Sequence, residues 1–233
     1  MIIAAAIMCP GNRLSSRFPS VLSYAFLVAA LVAVPSLARG ADHAPPPLAP
    51  ATTFPAVEVH DREKVAIAAD PYDSKEKEKV LRVDYEDYGI LPVRVIITNN
   101  GDKPISLEEA RIHFIAADGT KIEAAEPEDV ERRTSSASNR GKTVPLPRPL
   151  PSIHTAPGKK NKEIEEDFHD FEFQALVVEA HTTRAGFLFY DVSGLSEPLK
   201  GARLYLRRLK GADGQDLFYF DIPFDKYLAA KPK

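Results

Sequence analysis

The sequence has no tryptophan, a single cysteine, and no apolar stretch as long as a membrane span. Each absence excludes something. Cys9 lies ahead of a candidate processing site, so the chain beyond it has no disulfides, no thiol catalysis and no cysteine metal ligands. The main apolar run, Val21 to Val34, has 14 residues, whereas a spanning helix needs ~20. Without tryptophan, a sugar-stacking platform would have to rest on tyrosine alone. Charge of one sign is also missing: 30 basic residues stand against 33 acidic ones, which leaves no basic field for nucleic acid. No Gly-x-Ser-x-Gly elbow, phosphate loop or dinucleotide fingerprint occurs.

What is present begins with an address. Arg13 and Arg17 precede the apolar run, and Pro35 and Ser36-Leu37-Ala38 come after it, with small residues at the two positions a signal peptidase reads. The layout predicts cleavage after Ala38 and a periplasmic or secreted protein. The alternative is an uncleaved amino-terminal helix anchored in the inner membrane, and the long apolar lead before Ser20 also raises the question of whether Met1 is the true start. Residues 39–56 are rich in proline and alanine and read as an extended, solvated spacer.

From Val57 to Lys233 the chain alternates short β-type runs with turn signals. Val65 and Ile67 share a face before Pro71, and Val80, Leu81 and Val83 suggest a second strand. In the run from Leu91 to Asn99, Val93, Val95 and Ile97 form one apolar face, while Arg94, Ile96 and Thr98 form a mixed one. Asn100-Gly101 predicts a tight type I′ reversal, and Pro104 marks the returning segment as an edge or a crossover. Ile112 and Phe114 alternate up to a turn at Asp118-Gly119. Further alternation appears at Phe171, Phe173, Ala175 and Val177, at Phe187 and Phe189, at Leu204 and Leu206, and at Phe218, Phe220 and Ile222. The expected fold is all-β: an immunoglobulin-like antiparallel β-sandwich of eight or nine strands.

An insertion, 126–170, interrupts this pattern. Proline, then acids, then arginines predict a short helix over Glu126 to Arg133. Thr134 to Lys162 keeps neither period and reads as a long, exposed, proline-rich loop. That loop carries Arg140, Lys142, Arg148, Lys159, Lys160 and Lys162 with no acid, and six acids come next, by Glu172. The six cations are the candidate interaction surface, for an acidic partner or anionic lipid; equally, they can neutralise the acids beside them.

The runs VRVIITNNGDKPISL, RIHFIAADGTKI and HTTRAGFLFYDV resemble a family of exported bacterial domains with a telokin-like immunoglobulin sandwich. The resemblance rests on Thr98, Asn99, Pro104, Ile105, Asp118, Gly119, Thr183, Gly186, Phe187, Leu188 and Phe189, and covers 64–123 and 175–223. It implies the fold and an exported location. It carries over no catalytic residue.

Other candidate sites are thin. No two of His43, His60, His113, His154, His169 and His181 have a spacing that preorganises a metal. His169-Asp170 would diverge across a strand. Asp84, Glu86 and Asp87 lack the ligand spacing of a calcium loop. Tyr85, Tyr88, Tyr190, Tyr205, Tyr219 and Tyr227 read first as sheet residues, and Pro145 to Pro151 as a stiff stretch. The sequence therefore predicts no catalytic, cofactor or metal residue. It predicts a non-enzymatic interaction or accessory module for a protein or cell-envelope component. The alternatives are a small-molecule or carbohydrate-binding domain, and a hydrolase that would need a buried acid or base of shifted pKa in a cleft.

Overall fold

A computed structural model describes residues 43–139 and 159–231. The candidate signal segment and Arg140, Lys142 and Arg148 lie outside the described residues. The chain is all-β, with antiparallel sheets and a few short helices. The first sheet has the order β1-β2-β3-β8 and comprises β1 (Val57–His60), β2 (Val65–Pro71), β3 (Ile90–Asn99) and β8 (Thr182–Asp191). The second has the order β10-β9-β5-β6, from β5 (Arg111–Ile115), β6 (Lys121–Glu123), β9 (Arg203–Arg207) and β10 (Phe220–Pro223). A two-stranded pair joins β4 (Ile105–Ser106) to β7 (Val177–Val178).

The alternation of the sequence sets which side chains meet. Val65, Ile67, Val93, Val95 and Ile97 of the first sheet pack against Phe114, Leu204, Leu206, Phe220 and Ile222 of the second, forming the main core. Asp118-Gly119 makes the expected hairpin between β5 and β6: Gly119 takes a positive φ of 86°, and Asp118 Oδ1 accepts the Thr120 N–H at 2.8 Å.

Asn100-Gly101 does not make the expected tight type I′ hairpin. Gly101 has no positive φ, and β3 pairs with β2 and β8 while the chain crosses to β4. The Asn99 carboxamide shapes this corner, accepting the Gly101 N–H at 2.9 Å and donating to the carbonyls of Lys103 at 2.8 Å and Val178 at 3.1 Å. A side chain takes over what hairpin hydrogen bonds would have done. The crossover reading of Pro104 is correct.

The mixed face of β3 is not solvated: all ten residues of the strand are buried. Residues 43–56, expected as a free spacer, are held to that face through Pro46, Pro47 and Ala51. Ala51 packs with Ala66, Ala68 and Ile96. Arg94 donates to the carbonyls of Pro46 at 2.9 Å and Pro47 at 3.0 Å, and Thr98 Oγ1 accepts the Ala51 N–H at 2.9 Å. Proline's extended backbone leaves its carbonyls free to accept, so the polar residues of β3 find partners without water.

The insertion also departs from expectation. The predicted short helix continues as α2 (Pro127–Asn139), and Lys159 to Lys162 open a further helix, α3 (Lys159–Phe171), where a loop and then a strand were expected. Ile164, Phe168 and Phe171 lie at helical spacing on one buried face. They cover Phe187 and Phe189 of β8, with Phe168 stacked on Phe189 at 4.3 Å between centroids. The strand expected at Val80 to Val83 is likewise absent: α1 (Lys75–Glu78) leads into bends and a 3₁₀ turn, Tyr85–Tyr88. Leu81 and Val83 still reach this second core, but the Arg82 N–H bonds the Asp167 carboxylate at 2.9 and 3.0 Å rather than a neighbouring strand. A last helix, α4 (Asp225–Ala230), comes after β10.

Candidate functional site

Two places could carry function. The first is a cleft of about 430 Å³ between the segments Tyr72–Leu91 and Val192–Lys200, closed on one side by Leu228. Ile90, Leu91, Leu195 and Leu199 line it together with Asp73, Glu78, Glu86, Glu197 and Lys200. Glu78 is 1% exposed. Its carboxylate accepts the Glu86 N–H at 3.2 and 3.4 Å. Burial raises its pKa from 4.5 to about 7; that hydrogen bond opposes the shift, and the carboxylates of Glu86, Asp84 and Asp87 add to it. Tyr72, at the same cleft, is pushed to about 12, by burial and then by Asp70. Glu78 can therefore exchange a proton near neutral pH, which suits a general acid or base.

The second place is the outer face of the second sheet. Strand parity turns Phe114, Leu204, Leu206, Phe220 and Ile222 inward, so Arg111, His113, Ile115, Lys121, Glu123, Arg203, Tyr205, Arg207 and Asp221 turn outward. Asp221, Tyr205, His113 and Glu123 lie in register across four strands. Beside them Arg111 and Arg207 are direct cross-strand partners. Tyr205 and Tyr219 meet at 5.5 Å between ring centroids, and Tyr219 and its neighbour Phe218 are 56% and 69% exposed. Arg203 Nε lies 3.2 Å from Asp221. Among the described residues the outward side chains of this face belong to no apolar core cluster, although His113 among them is buried, whereas the outer face of the first sheet is covered by residues 43–56 at one end and by α3 at the other.

Of the six cations expected as an interaction surface, Lys159, Lys160 and Lys162 are described. They lie together in the first turn of α3. Lys159 and Lys162 pair within the helix with Glu163 at 3.5 Å and Glu166 at 3.4 Å, and Lys160 sits over the Tyr88 ring at 4.8 Å. Each is thus matched by a neighbour on the same molecule. His169 is exposed on α3, and Asp170 bonds Arg82 Nη2 at 2.5 Å. The six tyrosines do not form a platform: Tyr85, Tyr190 and Tyr227 are buried, and only Tyr205 and Tyr219 meet on an outer face. Sequence reasoning passed over Arg111, Arg203 and Arg207, and weighed His113 only as a metal ligand. The signal for them is the polar half of the alternation already used to place Ile112, Phe114, Leu204 and Leu206.

No protein-family model, curated protein or solved structure matches the chain. Among the described residues no helix is long and apolar enough to cross a membrane.

Proposed function

We propose that the protein is an exported, non-enzymatic interaction module that holds a partner from the cell envelope against the outer face of its second sheet. The observation that carries this reading is the asymmetry of cover. The chain spends an amino-terminal segment and a helix on the outer face of one sheet, and the other outer face presents Arg111, Arg203 and Arg207, with Tyr205 and Tyr219 beside them, to solvent. Those are the residue types enriched where proteins bind one another. Export to the periplasm or out of the cell is supported by Arg13, Arg17, the run from Val21 to Val34 and the Ser36-Leu37-Ala38 site. The two antiparallel sheets around one core agree with an immunoglobulin-like, telokin-like domain, the family the sequence resembles.

The test is site-specific photo-crosslinking in the producing cell, with p-benzoylphenylalanine in place of Tyr219 and, as control, in place of Glu76 on α1. The reading expects one discrete adduct through position 219 and none through 76. No adduct at 219 overturns it.

A second reading has an observation of its own. A hydrolase asks for a buried acid of shifted pKa in a cleft, and Glu78 meets that description. Under this reading, hydrolysis of envelope-derived substrates falls to background in Glu78→Gln while the Tyr219 position captures nothing.

A further inference from the structure

His113 is 4% exposed, and neither ring nitrogen has a hydrogen-bond partner among the described residues. A buried imidazole left unpaired is uncommon, because each unmatched polar group forfeits its hydration. Its surroundings are uncommon as well. The charged side chains facing it are Arg111 on its own strand, Arg207 on β9, and Lys121 and Glu123 on β6; Tyr205 and Glu123 are its cross-strand partners. Three cations thus surround it with one carboxylate. Arg111 and Arg207 sit directly opposite each other, and like charges so placed repel and destabilise the sheet. Among the described residues neither has a carboxylate partner, and the Arg111 guanidinium bonds only the Ala110 carbonyl, at 3.3 Å.

We infer that Arg111, Arg207, Lys121 and His113 form an anion-binding site for a carboxylate-bearing, extended segment of a partner protein. The inference rests on the reading of this face as an interaction surface and names the chemistry of the partner. Two planar guanidinium groups suit carboxylates, which they bind in bidentate fashion. Charge complementarity points to an acidic partner molecule: outside the described residues the sequence carries a single acidic side chain, Asp42, against the cations gathered here. An extended peptide fits better than a lipid headgroup. His113, Arg111 and Ile112 also line a trough of about 570 Å³, whose apolar wall is Phe173, Ala175 and Leu188. β6 pairs only with His113 to Ile115, so among the described residues the edge of β5 at Arg111 and Ile112 has no strand beside it. A short strand can add there, with its alternate side chains in the trough and its acids over the arginines.

The site also responds to pH. Burial first, then Lys121, Arg207 and Arg111, hold the His113 pKa below its ordinary 6.5, while Glu123 pulls the other way. A bound carboxylate favours the imidazolium. Binding raises the His113 pKa, and by linkage affinity rises as pH falls.

The test is fluorescence anisotropy with the whole protein and a labelled hexapeptide of alternating glutamate and valine, beside phosphatidylglycerol vesicles and inorganic phosphate. The expected result is that the peptide binds, more tightly at mildly acid than at neutral pH, and shifts the His113 ring resonances. Arg111→Gln/Arg207→Gln then weakens it by on the order of tenfold or more, while Lys75→Gln/Lys226→Gln leaves it unchanged. The arginine variant should melt no lower than wild type, because it removes a repulsion. Equal binding by the arginine variant overturns the inference, as does binding of vesicles or phosphate without the peptide. The two readings can fail separately. A Tyr219 adduct that survives Arg111→Gln/Arg207→Gln leaves an interaction face without this anion site, whereas arginine-dependent peptide binding without a Tyr219 adduct leaves the anion site without an envelope partner.

Discussion

Glu78 and Asp167 are both buried carboxylates, and they differ in how many donors meet them. Asp167 accepts the Arg82 N–H, Arg82 Nη1 at 3.0 Å and the Tyr85 hydroxyl at 3.0 Å. Asp167→Ala would strand the Arg82 N–H and the Tyr85 hydroxyl, while the Arg82 guanidinium keeps Glu166 and Asp170. It is expected to lower stability by roughly 2–5 kcal/mol, whereas breaking the exposed Lys200–Glu197 pair is worth ~0–1 kcal/mol. Urea denaturation of the two variants decides, and equal losses would contradict the assignment. Burial raises both carboxyls above their ordinary range, Asp167 against several opposing donors and Glu78 against one backbone N–H, and the folded pKa of Glu78 stands at about 7, above the ordinary 4.5. Below about pH 4.5 the group is protonated in both states and adds nothing. Between 4.5 and 7 the unfolded chain releases a proton that the folded protein retains, so the group's contribution turns against folding as pH rises. Above 7 the penalty is complete, on the order of 3 kcal/mol. Glu78→Gln is therefore expected to match wild type in acid and to be the more stable protein at about pH 8. An offset that does not change with pH would sink the shifted pKa.

At the scale of elements, α3 joins the insertion to the sandwich. Phe168→Ala is expected to lower stability by about 3–5 kcal/mol, as is Phe189→Ala, because each ring is the other's packing partner; the double variant should lose less than the sum of the two. If Phe168→Ala denatures like wild type, α3 does not cover β8. Gly186 holds the next contact. A Cβ there would lie 2.5 Å from the Phe173 Cα and 2.7 Å from its nitrogen, and backbone cannot swing aside as a side-chain tip can. Gly186→Ala should lower stability by roughly 1–3 kcal/mol, and a variant as stable as wild type would contradict the close approach. The central strands of both sheets were legible in the sequence because burial of one face forces period two. α3 was hidden for the opposite reason: Ile164, Phe168 and Phe171 keep helical spacing, but charged residues and a proline-rich stretch beside them drew attention to loop character. The expected strand at Val80 to Val83 failed because the Arg82 N–H is taken by Asp167 and the Leu81 N–H by the Glu78 carbonyl, the first a partner no local pattern announces. Of the candidate face, the residues were legible and their grouping was not. Arg111 and Arg207 meet only once the register of β5 on β9 is known.

For the whole molecule, cover decides what is core and what is surface. A chain beginning at Val57 would expose Ala66, Ala68 and Ile96 and deprive Arg94 of its two carbonyl acceptors. It is expected to unfold at lower urea than a chain beginning at Arg39, and identical curves would mean that residues 43–56 are a spacer after all. Cleavage after Ala38 keeps this segment, and mass spectrometry of the native protein should find Arg39 at the amino terminus. The central claim is that the uncovered face of the second sheet, and not the Glu78 cleft, meets the partner. Hydroxyl-radical footprinting of the protein, alone and with the producing cell's envelope fraction, tests it most directly. The account predicts protection of Tyr205, Phe218 and Tyr219, with Leu195 and Leu228 of the cleft unchanged. Protection of Leu195 and Leu228 with the three aromatics still reactive would contradict it.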